Sequence, residues 1–116
     1  MKLVPESAMH VVSKPWGREV WWAVTDRYAG KRLEVRAGHS LSLQYHEKKL
    51  ETLLLVEGRI ALRVGDEEQE IGPGMAVTIP AGTLHRMRAL TDAVVYEVST
   101  PDLDDVVRVQ DEYGRG

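Results

Sequence analysis

From Glu19 onward the chain is a series of short β-prone runs separated by Gly, Asp and Pro. Val20, Trp21, Trp22, Ala23 and Val24 make the first run, and Tyr28 to Arg36 makes the second, ending at a turn predicted at Gly38. Leu53 to Val56 is continuously apolar and predicts a strand covered on both sides. Arg59 to Val64 alternates instead, which puts Ile60, Leu62 and Val64 on one face. Gly65-Asp66 opens a hairpin, Ile71 to Gly74 is a tight turn, and Met75 to Ile79, His85 to Leu90 and Ala93 to Ser99 supply further strands. No helical period of useful length precedes about Asp102, and Asp104 to Asp111 fits either a short helix or a last strand. Residues 1 to 13 carry no strong period and predict an N-terminal arm, leaving 14 to 116 as a single domain. Many short strands with Gly-marked turns fit an all-β fold, a double-sheet jelly-roll barrel.

The same alternation distributes the aromatic residues. Trp21 and Trp22 fall on opposite faces of one strand, and Leu41, Leu43 and Tyr45 fall opposite Gln44 and His46. Part of this apolar surface is expected outside the barrel. A monomer rarely leaves a large apolar patch in water, so a homodimer through strand or sheet packing is expected.

Composition narrows the function classes. A length of 116 residues is one domain, and 43% hydrophobic content is that of an ordinary globule. The absence of Cys excludes disulfides, thiolate metal sites and Cys nucleophiles. With 18 acidic and 15 basic residues there is no electrostatic reason to expect a nucleic-acid partner. No run approaches the roughly 20 apolar residues that span a bilayer, so no membrane association is expected and the default location is the cytoplasm.

The chemistry concentrates in two gapped clusters. The first runs from Gly38 through Gln44, His46 and Glu51 to Gly58, and the second from Gly74 through Pro80 and Gly82 to His85. Alternate residues of a strand share a face, so Gln44 and His46 point the same way and Glu51 can join them from the next strand. An amide oxygen, two imidazoles and a carboxylate suit a divalent cation. His46 alone would be read as a hydrogen-bonded core residue. The decisive residue is Glu51, because an ionised carboxylate opening an apolar run is costly to bury without a compensating cation. A register using His46 and Lys48 is worse, since an ammonium has no lone pair to donate. Metal binding needs neutral imidazoles and an ionised Glu51, so affinity should fall below roughly pH 6.

These spacings resemble the two sequence motifs of the cupin superfamily, with Gln44-Tyr45-His46 in place of the usual His-x-His and Ala89 in place of the usual Asn. The Gln resembles the ligand set of phosphomannose isomerases. Lys14-Pro15-Trp16-Gly17, Lys31-Arg32, Leu41 to Gln44, Ile79 to Gly82, Glu97-Val98, Asp104 to Arg108 and Asp111 to Arg115 are all similar to the type II mannose-6-phosphate isomerase module. The resemblance implies a cupin domain over 14 to 116 with Gln44, His46, Glu51 and His85 holding a metal, zinc first, with manganese, iron, nickel or cobalt as alternatives. It further implies interconversion of mannose 6-phosphate and fructose 6-phosphate, or a related aldose and ketose phosphate pair. Glu97 is the first candidate for a proton-transfer or orienting role, with a structural ion pair as the equal alternative, and Lys48 is the second, should burial lower its pKa. Lys31, Lys49 and Arg108 are candidates for the phosphate. Where the family commonly has His, His and Arg, this chain has Glu47, Lys48 and Lys49. That exchange keeps open a non-catalytic sugar-binding or sensing cupin, with a cupin dioxygenase as a further rival. The nucleotidyl-transferring domain that precedes the module in longer family members is not expected within these residues.

Overall fold

The computed structural model describes residues 1–114. Arg115, the last residue of the tail similarity, lies outside them. Eleven strands follow in chain order: β1 (His10–Lys14), β2 (Gly17–Val24), β3 (Ala29–Val35), β4 (Leu43–Tyr45), β5 (Glu51–Glu57), β6 (Ile60–Val64), β7 (Glu67–Ile71), β8 (Ala76–Ile79), β9 (His85–Ala89), β10 (Ala93–Ser99) and β11 (Val107–Gln110). They form a six-stranded sheet, ordered β1-β2-β3-β10-β5-β8, and a five-stranded sheet, ordered β11-β4-β9-β6-β7. Every pairing is antiparallel. Among the described residues the helical content is a 3-10 turn at Glu6–Ala8. The expected all-β jelly roll is therefore the fold.

Residues 10 to 13, placed in the arm by their weak periodicity, belong to β1 and pair with β2, where Val12 stands opposite Glu19. The open choice at Asp104 to Asp111 resolves as β11, against β4. Strand β7 escaped the pattern because its Glu67-Glu68-Gln69-Glu70 stretch is exposed on the sheet's edge, and charged edge strands discourage pairing with other chains.

The two sheets face each other across a core that includes Trp16, Leu33, Leu53, Leu55, Ile60, Ile79, Met87 and Val95. Inward positions follow the strand alternation: Lys31, Leu33 and Val35 on β3; Glu51, Leu53 and Leu55 on β5; His85, Met87 and Ala89 on β9; Ala93, Val95, Glu97 and Ser99 on β10. Register gathers the polar members at one end, with Glu97 opposite Lys31 and Ser99 opposite Glu51. The barrel thus has one ionic end and one apolar end.

Strand β5 departs from expectation, because Leu54 is 39% exposed and Val56 only half-buried. Its continuous apolar run reflects an apolar outer surface, since one face alone meets the core. Leu41, expected on the outer face, packs against the core. The two tryptophans do divide as expected. Trp21 turns toward the cavity described below, and Trp22 lies outside, edge-on to Tyr96. The outer ring lies so close to β3 that a Cβ at Gly30 would sit 2.6 Å from it, which explains the glycine there.

Candidate metal centre

Three buried side chains converge at the ionic end. His46 extends the β4 strand, Glu51 opens β5 and His85 opens β9; they are 2%, 3% and 4% exposed. Their ligating atoms all lie within 4.8 Å of one another. Glu51 Oε1 stands 3.4 Å from His46 Nε2 and 3.1 Å from His85 Nε2. The Gly82 turn helps assemble the group: its φ of +80° suits glycine, and its N–H donates to the His46 carbonyl at 2.7 Å, three residues before His85.

The second nitrogen of each ring sets its chemistry. His46 Nδ1 is hydrogen-bonded to the Asp105 carbonyl, and His85 Nδ1 to the Thr83 carbonyl at 2.9 Å. A carbonyl only accepts, so each Nδ1 carries the proton and a neutral ring has its lone pair on Nε2. Both Nε2 atoms are buried without a hydrogen-bond partner. Two lone pairs aimed at one carboxylate oxygen repel it unless positive charge lies among them. A divalent cation meets that requirement, and the donor set fits one. Gln44 stands opposite His85 across β4 and β9 and lines the same space, its Oε1 accepting from Ser42 Oγ at 2.8 Å.

Around the cluster is a buried ionic relay. Lys49 Nζ lies 3.1 Å from Glu51 Oε2 and 3.2 Å from Glu97 Oε2. Burial opposes the charge on Lys49, yet the carboxylates of Glu97 and Glu51 outweigh it and raise its pKa. Burial also opposes ionisation of Glu51; donors or positive charge at the His46 and His85 nitrogens, together with the Lys49 ammonium, reverse this and hold its carboxyl far below the ordinary range. Glu97 shifts the other way, pushed up by burial and then by the charge of Glu51.

Beside the cluster lies a cavity of about 410 Å³ whose lining includes Trp21, Lys31, Gln44, His46, Lys49, Glu97 and Arg108. That size is typical of small-molecule sites, which run to roughly 300–1,000 Å³. Lys31 Nζ is 4.5 Å from the centre of the Trp21 ring and 3.6 Å from Glu19 Oε1. Lys48, by contrast, is exposed; the burial on which a lowered lysine pKa depends falls on Lys49.

The spacing of polar residues did not single out Asp105. Its carboxylate accepts from the backbone N–H groups of Glu47 at 3.0 Å, Lys48 at 2.7 Å and Lys49 at 2.9 Å, while its carbonyl orients His46. These bonds hold its carboxyl below the ordinary range, the Glu47 amide contributing most. The available signal was the Asp-Asp-Val-Val-Arg stretch from Asp104 to Arg108, whose first residues look like solvated surface charge.

A jelly roll with a His-Glu-His cluster beside a cavity at one end is a β-barrel with a candidate metal centre. The chain belongs to the cupin family, the Cupin domain matching residues 29–99. Over 116 aligned residues it is 33% identical to mannose-1-phosphate guanylyltransferase ManC of Salmonella typhimurium, covering 95% of this chain and 24% of that protein. It is also 33% identical to xanthan biosynthesis protein XanB of Xanthomonas campestris pv. campestris, covering 90% of this chain and 23% of the other. The chain thus spans about a quarter of the length of these relatives. Among solved structures, KdgF from Halomonas sp. superposes with a TM-score of 0.78 at 20% identity, over 90% of this chain and 96% of the other, a likeness of fold.

Proposed function

We propose that the chain is a metal-dependent sugar-phosphate isomerase of the mannose-6-phosphate isomerase type. The observation that carries this reading is the pair of partnerless Nε2 atoms facing Glu51 beside a cation-lined cavity. The similarity to two proteins named for mannose 1-phosphate and xanthan chemistry supports a sugar phosphate as ligand. Gln44, His46, Glu51 and His85 hold the ion, zinc first by the preference of imidazole and carboxylate donors. When bound, it supplies Lewis-acid stabilisation for the negative charge that develops on the sugar oxygens.

The remaining work falls to the cavity lining. Glu97, with its raised proton affinity, takes the proton from C2 of the aldose and returns it to C1, while the hydroxyl proton passes from O2 to O1. Lys49 holds Glu97 in place through their 3.2 Å contact. The cationic lining of the cavity favours a phosphorylated ligand over a neutral one.

The test is turnover by the metal-reconstituted chain against a panel of hexose and pentose phosphates, with Glu51→Gln and His85→Ala as controls. Interconversion of mannose 6-phosphate and fructose 6-phosphate, lost in both controls together with the metal, is the expected result. Saturable binding without any isomer formed, whichever metal is loaded, rejects catalysis in favour of a sugar-binding cupin. One feature favours that second reading: the Lys49 ammonium clamped on Glu97 opposes the rise in proton affinity that burial gives it.

A homodimer is part of the same proposal. The outer face of the six-stranded sheet exposes Trp22, Val24, Leu54, Tyr96 and Val98. Sedimentation equilibrium at micromolar concentration should return about twice the 13.0 kDa chain mass, and a value at the chain mass rejects the dimer.

A further inference from the structure

Four cationic side chains line the cavity, Lys14, Lys31, Lys49 and Arg108, and they differ in how much of their charge is already met. Lys14 and Lys31 face the same carboxylate, with Nζ 3.9 Å and 3.6 Å from Glu19 oxygens. Lys49 is held between Glu51 and Glu97. The Arg108 side chain forms neither a hydrogen bond nor an ion pair within the described residues, and its Nε is buried without a partner. Glu19, Glu97, Asp104 and Asp105 line the cavity too, yet none of them pairs with it.

An unmet buried donor or acceptor is costly, about 1–3 kcal/mol and more when charged. Among the described residues three side-chain atoms are in this state: the two imidazole Nε2 atoms and Arg108 Nε. The imidazole pair marks the cation site. By the same reasoning the third atom marks the place of an anion.

We propose that Arg108 alone is the anion anchor of the cavity, its guanidinium gripping the negatively charged group of the ligand. Lys31 and Lys49, equal candidates in the sequence, serve internal pairs. The fork of a guanidinium matches phosphate or carboxylate oxygens two at a time, whereas an ammonium paired with glutamate has little charge left to offer. Placement agrees, because Arg108 stands opposite Gln44 across β11 and β4, so the anchor is one strand away from a metal-facing residue. The ligand is therefore a small molecule with its anionic group at Arg108 and its oxygens toward His46 and Gln44. This assignment rests on the sugar-phosphate reading for the ligand's uncharged portion, while the anion site itself is tested by binding alone.

The experiment is calorimetric titration of the full metal-loaded chain with mannose 6-phosphate, mannuronate and mannose. At least one anionic sugar should bind more tightly than mannose, and the arm that does so separates a phosphate from a carboxylate ligand. Arg108→Gln should weaken that binding about 10–100-fold, the weight of a charged hydrogen-bonded contact, and erase the preference over mannose. Arg108→Lys should recover part of it, and Lys31→Gln should leave the preference intact. Metal content should be unchanged in the Arg108 variants, and their melting temperature should not fall.

A preference that survives Arg108→Gln, one that disappears with Lys31→Gln instead, or wild-type protein showing no preference for either anion overturns the anchor. Arg108-dependent binding without turnover keeps the anchor and rejects the isomerase. Turnover indifferent to Arg108→Gln does the reverse.

Discussion

At one end of the barrel β3, β5, β9 and β10 turn Lys31, Glu51, His85 and Glu97 inward; two residues along each strand the same faces carry Leu33, Leu53, Met87 and Val95. Backbone geometry does not separate the two sets. The first set is ionisable and the second apolar, although both are equally hidden from water. Burying ions costs several kcal/mol each, and their mutual attraction repays that only in good geometry. The apolar end gains by burial at every residue, at about 25 cal/mol per Å² removed from water. Four such positions at one end are therefore read as a site maintained against stability, supported by the packing beyond it.

The comparison breaks most sharply at Glu51. Glu51→Gln removes the one carboxylate of the His46, Glu51 and His85 cluster and should cost metal affinity by more than roughly 100-fold, beyond the effect of losing a group that only orients a ligand. Metal content after desalting reads this directly. At the other end, Leu55→Ala should lower unfolding free energy by about 2–5 kcal/mol while leaving metal affinity intact. Denaturant unfolding with a parallel metal titration checks both halves; a matching fall in metal affinity would show that the ends are not independent.

Asp105→Ala should weaken metal binding by roughly 10–100-fold, because it frees the segment carrying Lys49 and the carbonyl that orients His46. A competitive chelator titration measures it, and unchanged affinity rejects the positioning role. The smallest effect lies outside the barrel. Glu34 takes hydrogen bonds from Arg18 at 2.8 Å and Arg32 at 2.9 Å, and the Arg18 contact leads in holding its carboxyl below the ordinary range. A lowered folded-state pKa means stability present above the unfolded value of about 4.3 and lost as pH falls through the folded one. Glu34→Gln should therefore cost about 0.2–1 kcal/mol near neutrality, with the gap from wild type closing in acid. Melting curves from pH 7 to 3 follow that gap, and a difference independent of pH would remove the charge from the explanation.

Much of this contrast was legible in the chain. β-Prone runs between turn residues located β2, β3, β8, β9 and β10, alternation located β6, and the cost of a carboxylate at the head of an apolar run pointed to Glu51. Periodicity failed where the inside and outside of a strand share the same chemistry. Leu54 reads like Leu53 and Leu55, yet it faces outward. It failed also between β4 and β5, where Lys48 and Lys49 differ in burial although nothing in the dipeptide distinguishes them. Their difference is set by where Asp105 fastens the backbone, a contact across 56 and 57 residues that no local pattern encodes.

That fastening has a consequence for how the protein is made. The carbonyl that fixes the orientation of His46 belongs to a residue 59 positions later in the chain. A ribosome therefore delivers Gln44, His46, Glu51 and His85, the proposed ligands, before it delivers the group that aims one of them. Capture of an ion by that cluster is expected to tighten only once the segment leading into β11 docks, and a nascent chain stalled before Asp105 should hold the ion loosely.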